Sequence, residues 1–555
     1  MTYLPQELID HISSFLPLSD LKNTLLVSRQ FHSAAEKYSE AHTKYTLTTK
    51  SDAQHFVEKY SGRLFRLLRN VEIRTSVPDL DRGTLGNKYR CRDTAAELQE
   101  MDEQFTRQIR FFFSAIQKVE DKAWEMHGPG RIQLKIYTPT RLRYNMHSCF
   151  HRIYNSWRVH LLSPERLPAL KSVRSLLVQS GEDHNYSYPG NPHLRKLDLR
   201  VLLDLSSKMP NLEILNCLIG GDEWSLAWKT MESRYTTTDW QGPRRDSRHD
   251  FGKALKEGTI ALPNLRHAKL NFMYPAFRPL NIDQRLALPN LTQPAVYDPF
   301  SSSLRILSYQ LRTMNLLGMV DASLFWPLDD NSTPYWPHLE SISIMFHVAT
   351  PSGEWYFEGP IHVDEPSNRW KYEDLPIDDD DCSHIYDSDS SEGEDWDEYS
   401  INAAYRLIPN ETTLVPFLST FAKAATLMPS LKQVALWTIL SFNVDGMPEY
   451  KDFDISGLTA CERTEDGNYF DWGVAYVKPG TRAFNTNPGE NFSASRQLWW
   501  KVGKWRPSAE LLNLFHNIGK QHGEDLVEYW DDAYDSDGLV NRDVFQAWRD
   551  AVFRE

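Results

Sequence analysis

The chain runs to 555 residues with a formal net charge of −14, from 61 Lys and Arg against 75 Asp and Glu. Twelve of the acids lie in 374–398, so the remainder is near neutral, which argues against a sequence-blind nucleic-acid binder; only a local pair such as Arg244-Arg245 offers a basic patch. The cysteines, Cys91, Cys149, Cys217, Cys382 and Cys461, are dispersed, odd in number and never form C-x-x-C, so neither a disulfide framework nor a zinc ribbon is indicated, and no stretch approaches the about 20 apolar residues of a membrane span.

The first element is "LPQELIDHISSFLPLSDLKNTLLVSRQFHSAAEKY", starting at Leu4. Ser19-Asp20 and Ser28 read as N-caps and Pro17 as a breaker, so the segment predicts three helices of about three turns each. Leu8, Ile12 and Phe15 recur at helical spacing, widened by Ile9 and Leu16; Leu21, Leu25 and Leu26 follow, then Phe31, Ala35 and Tyr38. A unit of about 40 residues cannot bury that much apolar surface, so part of it must be covered by a partner or by the rest of the chain.

The run L-P-x-E-L-x-x-x-I-x-x-F-L, then L-S-D-L, then V-S-R-x-F, resembles the F-box motif from position 4 to about 38. The resemblance implies an F-box over 1–45 that docks on a Skp-type adaptor and, through it, on the cullin of a RING-type ubiquitin ligase. It assigns the contact to Leu4, Pro5, Leu8 and Ile9 around helix one and to Leu21 and Leu25 on helix two. The other reading is a helical cap on a larger domain.

Downstream, over 46–506, one phrase recurs: a leucine, an apolar residue three on, and usually another two after that. It occurs at Leu68, Leu170, Leu194, Leu212, Leu265, Leu304, Leu339 and Leu431, in most cases with proline two residues before the leucine. The closing alternation is that of a short strand with one buried face. Amphipathic helices lie between, the clearest running from a Thr94-to-Glu97 capping box through Leu98, Met101, Phe105, Ile109, Phe112 and Ile116 to Gly128-Pro129. The pattern predicts an α/β chain whose body is an irregular leucine-rich-repeat-like solenoid with a parallel sheet, or else an ordinary α/β sheet with similar strands. An F-box followed by such repeats resembles a substrate receptor, and the C-terminal sequences resemble the endings of large fungal F-box proteins.

His147 and His151 flank Cys149 at a spacing that holds zinc only on a helix with further ligands. Residues 234–252 predict a polar loop, and 374–400 an acidic, disordered insertion whose Ser388, Ser390 and Ser391 suit acidophilic kinases. "DSDSSEGEDWDE" from Asp387 and "AYDSDGLVNRDV" around Asp535, Asp537 and Gly538 imitate calcium loops but lack essential ligand positions. No G-x-x-x-x-G-K-[ST], H-E-x-x-H or G-x-S-x-G is present, and no catalytic, cofactor or metal residue is expected.

In "RQLWWKVGKW", strand alternation puts Leu498, Trp500 and Val502 on one face and Trp499, Lys501 and Trp505 on the other. The second face is expected to lie under the next helix (Leu511, Leu514, Phe515, Ile518); if open, Trp499 and Trp505 are the candidate target contacts. Residues 507–555 predict a C-terminal helical cap whose last helix is capped by Asn541 and carries Val544, Trp548 and Val552. The expected function is that of a non-catalytic substrate-recognition subunit of a Skp-cullin-F-box ubiquitin ligase, acting on an unknown protein target in the cytosol and/or nucleus. The alternative is an F-box scaffold that does not direct ubiquitination.

Overall fold

The computed structural model describes residues 4–78, 95–127, 130–141, 158–179, 196–220, 244–256, 261–273, 284, 288, 290–328, 332–359, 404–442, 468–481 and 493–531. Helices α1 (Gln6–Ser14), α2 (Leu18–Thr24) and α3 (Arg29–Tyr38) open the chain. Ser28 caps α3 as expected, its Oγ accepting the Phe31 N–H at 3.2 Å. Ser19 and Asp20, expected to cap the second helix, lie inside its first turn instead. Pro17 takes the N-cap position without a side-chain bond.

The body follows as β1 (Lys44–Leu47), α4 (Lys50–Tyr60), β2 (Asn70–Val77), α5 (Ala95–His127), β3 (Ile132–Arg141), β4 (Val173–Gln179), α6 (Leu199–Ser206), β5 (Ile214–Leu218), α7 (Arg245–Lys256), β6 (His267–Asn271), α8 (Pro299–Ser308), β7 (Thr313–Gly318) and β8 (Ser341–Phe346). It ends with β9 (Phe357–Glu358), β10 (Ile408–Pro409), α9 (Leu414–Thr426), β11 (Gln433–Phe442), β12 (Asn468–Val477), β13 (Arg496–Lys501), α10 (Ala509–His516) and β14 (Leu526–Asp531). Apart from the small β9·β10 ladder, the strands form one sheet in the order of the chain. Pairing is parallel from β1 to β8 and on to β11; β12 is antiparallel to β11 and to β13, and β14 is parallel to β13. Parallel neighbours require crossover connections, which is why helices alternate with strands.

Helices cover one face of this sheet. Val71, Ile73, Leu134, Ile136, Leu215 and Leu270 lie in one continuous buried cluster with Phe105 and Ile109 of α5, Leu202 of α6, Phe251 of α7, Leu304 of α8 and Phe417 of α9. Several strands are entered by the same turn. The N–H groups of Leu68, Leu212, Leu265, Leu311 and Leu431 each donate to the carbonyl three residues back at 3.0–3.2 Å, and all five side chains are buried. Pro210, Pro263 and Pro429 stand at the second position of three of these turns, where the fixed φ of proline favours the bend.

Four expectations are corrected. "SSLRILSY" belongs to α8, which Asp298 caps through the Phe300 and Ser301 N–H groups (3.4 and 2.9 Å); the strand of that unit is entered from Leu311, with Met314 and Leu316 at the same spacing. Leu194 lies outside the described residues, and Leu197 of the same phrase makes only an isolated bridge with Val159, after which Asp198 caps α6. The polar loop of 234–252 gives way to α7 at Arg245, and Arg244 is buried, so Arg244-Arg245 is not a surface patch. The C-terminal helical cap is a mixed unit, because after α10 the chain adds β14 to the sheet beside β13.

Candidate functional site

Seven of the fifteen large apolar side chains exposed among the described residues fall between Leu4 and Val27, which marks this surface out from the rest. On and before α1, Leu4, Leu8, Ile12 and Phe15 are 46, 49, 45 and 75% exposed. They recur at three- and four-residue spacing and so lie along one side of the helix. Leu18, Leu26 and Val27 continue the surface at 60, 95 and 64%.

The opposite side of the trio is its own core. Ile9, Ser13, Leu21, Ala34 and Ala35 are buried, and α1 packs on α3 through that side. The candidate contact residues therefore divide. Leu4, Pro5 and Leu8 are exposed and Leu25 is half-buried, whereas Ile9 and Leu21 are 2% exposed and support the surface from beneath. Ile12, Phe15 and Leu18, not among the residues singled out for the contact, share the outward side; the helical spacing already noted for Ile12 and Phe15 is the signal that includes them. Leu25 lines a groove of about 360 Å³ with Ser28, Arg29, His32, Ser33 and Arg63.

Charged side chains fix the trio. Lys37 Nζ reaches Asp10 Oδ2 at 2.8 Å and Gln6 donates to Asp10 Oδ1 at 2.8 Å. Arg63 Nη2, at the start of the turn before β2, donates to Glu36 Oε1 at 2.8 Å and ties α3 to the body. The Lys37 hydrogen bond holds the Asp10 carboxyl below its ordinary range, and the Arg63 hydrogen bond does the same for Glu36. The apolar surface is thus presented on a braced support.

Compared with models of protein families, residues 1–40 match the F-box domain. The chain carries an F-box. No curated protein matches it. The F-box points to binding of a Skp-type adaptor of a ubiquitin ligase, a partner able to cover the exposed side of α1 and the turn after α2.

The two tryptophans considered as target contacts are not brought together. Trp500 is 1% exposed and packs edge-on against Phe515 of α10, with ring centroids 4.9 Å apart, so α10 covers the face of Leu498, Trp500 and Val502. Trp499 lies on the other face, half-buried and stacked on Tyr529 of β14 at 4.0 Å and 18°. The expectation that the following helix covers Trp499 is therefore reversed: that helix needed an apolar face and took the more apolar one. Trp505 lies beyond the strand, beside Trp472 at 6.0 Å on the core side, and Lys501, expected beside Trp499 on its face, is buried. Tyr529 is not legible as a neighbour from the sequence, because 507–555 predict a helical cap and this segment is a strand.

Among the described residues no group of three or more His, Cys, Asp and Glu is placed to hold a metal, and no helix is long and apolar enough to cross a membrane. Cys217 is fully buried, which pushes its thiol far up and makes it a poor nucleophile. His147, Cys149 and His151, the insertion 374–400 with its serines, both calcium-loop imitations and the helix expected after Asn541 lie outside the described residues.

Proposed function

We propose that the chain is the substrate-recognition subunit of a Skp-cullin-F-box ubiquitin ligase. The observation that carries this reading is the exposed apolar side of α1, from Leu4 to Phe15, on a unit that matches the F-box domain. The adaptor covers that side; the cullin follows through the adaptor; the strand body holds a protein target. The chain itself contributes no catalytic residue. Its effect on rate is proximity, keeping a target lysine near the ubiquitin carrier brought by the other subunits.

The body is read as an irregular leucine-rich-repeat-like solenoid. Strand order that follows chain order, helices on one face and the repeated turn before the strands at Leu68, Leu212, Leu265, Leu311 and Leu431 all support it. Such a body offers a macromolecule its rim and the helix-free face of β4 and β5, since Met345, Ala435 and Trp437 on that face of β8 and β11 are buried, in the cytosol and/or nucleus. The test is co-purification of the full chain with adaptor and cullin, followed by the half-life of captured proteins in cells lacking the gene. Capture together with a lengthened half-life supports the reading. Adaptor capture with every half-life unchanged identifies a scaffold, and no adaptor capture overturns the proposal at its root.

A further inference from the structure

One row of side chains crosses the sheet where the parallel strands begin. Arg174 is the second residue of β4, and Glu213, Arg266, Arg312, Glu340 and Lys432 directly precede the neighbouring strands β5, β6, β7, β8 and β11; five main-chain hydrogen bonds of 2.7–2.9 Å link each residue's N–H to the preceding one's carbonyl. From Glu213 to Lys432 each is the residue directly after a buried leucine at the start of its strand. Anchoring the leucine therefore places the next side chain on the rim. The row holds four cations and two carboxylates, on a chain whose residues outside 374–398 carry 63 acids and 61 bases.

Charge within the row is unevenly satisfied. Glu213 lies 3.6 Å from Arg174, and Glu340 is shared by Arg312 at 4.0 Å and Lys432 at 2.6 Å. Arg266 donates to the carbonyls of Pro263 and Leu265 at 2.9 and 2.8 Å, which carry no net charge. Arg312 has 57% of its side chain exposed. The middle of the row is thus positive, and just inside it His267 Nδ1 is 2.9 Å from Thr313 Oγ1. Burial and then the charge of Arg312 hold that histidine below its ordinary pKa, which keeps the spot free of a further cation near neutral pH.

We propose that this rim, centred on Arg266 and Arg312, docks an acidic segment of the protein target. The proposal rests on the reading of the body as target holder and adds the chemistry it recognises. Strands are about 4.8 Å apart, so the six positions span roughly the length of seven extended residues. A polypeptide can set single carboxylates opposite Arg266 and Arg312 and skip Glu213 and Glu340. A nucleic-acid strand, with a phosphate at every step, would meet both glutamates, and that favours a peptide.

The experiment uses the full chain and a fluorescein-labelled octapeptide of alternating Glu and Ser, with alternating Gln and Ser as its neutral counterpart. The acidic peptide is expected to bind, to bind less as salt rises, and to lose about tenfold or more in affinity with Arg312→Glu. Arg266→Gln, which keeps an amide N–H for the Pro263 and Leu265 carbonyls, is expected to weaken binding as well. Arg107→Glu on α5 is expected to leave it unchanged. No binding, equal binding of the neutral peptide, equal loss in Arg107→Glu, no loss in either rim variant, or tighter binding of single-stranded RNA would overturn the proposal. Adaptor capture is independent of the rim, so a failed peptide assay beside a body that still captures a target rejects the rim alone.

Discussion

At the scale of single residues, Trp499 and Trp500 separate surface from core. Trp500→Ala removes a buried ring from beneath α10 and is expected to cost about 3–5 kcal/mol. Trp499→Ala chiefly loses the stack on Tyr529, worth about 0.5–1.5 kcal/mol beyond area burial. Denaturant melts of the two variants decide it, and equal losses would contradict the assignment of faces. Asp10 and Glu36 make a second case. Both carboxyls are held below their ordinary values, by Lys37 and Arg63, so their contribution to stability is complete above the unfolded values of about 4 and is lost as pH falls through the depressed folded ones. The helical trio is expected to keep its protection from proteolysis at pH 7 and to lose it below about pH 4, ahead of the body. Uniform loss across the chain would show that these pairs do not brace it.

At the scale of elements, the leucine phrase was legible because it has a mechanism, and it misled where another element uses the same spacing. Leu304 and Leu307 are three apart, which fits a helical turn as well as a loop-to-strand junction; Asp298-Pro299, an N-cap followed by a helix-starting proline, was the signal that separates the two. The strands at Leu68, Leu170, Leu212, Leu265, Leu339 and Leu431 followed their phrase. Strands β1, β3 and β12 carry no such phrase and went unread, since their partners fix them through sequence-distant pairing. Of the site, Leu4, Pro5 and Leu8 were legible as outward, whereas the inward turn of Ile9 and Leu21 depends on how α1 and α3 cross. If the turn before each strand is the working unit, Leu265→Ala, at a side chain with no exposure, is expected to cost about 2–5 kcal/mol, and Leu431→Ala a comparable amount. Chemical denaturation measures both; a near-neutral Leu265→Ala would contradict the shared role.

At the scale of the whole molecule, two surfaces with different chemistry sit on one chain. The F-box presents aliphatic and aromatic side chains, and the rim of the sheet presents four cations beside two glutamates, so under the proposals above the two would take different partners and could be disabled separately. The Arg63 to Glu36 contact joins the trio to the body, and under the proposed function it would help set the distance between the adaptor and a target held by the body. The central claim is that the outward side of α1 is an adaptor interface. It is tested most directly by titrating the purified full chain and its Leu8→Asp variant with a purified Skp-type adaptor, in parallel with thermal melts. Leu8 is 49% exposed, so the substitution is expected to leave the melting temperature unchanged while lowering adaptor affinity by at least about tenfold, the value of burying one leucine. No binding by the unaltered chain, or equal binding by Leu8→Asp, would contradict it.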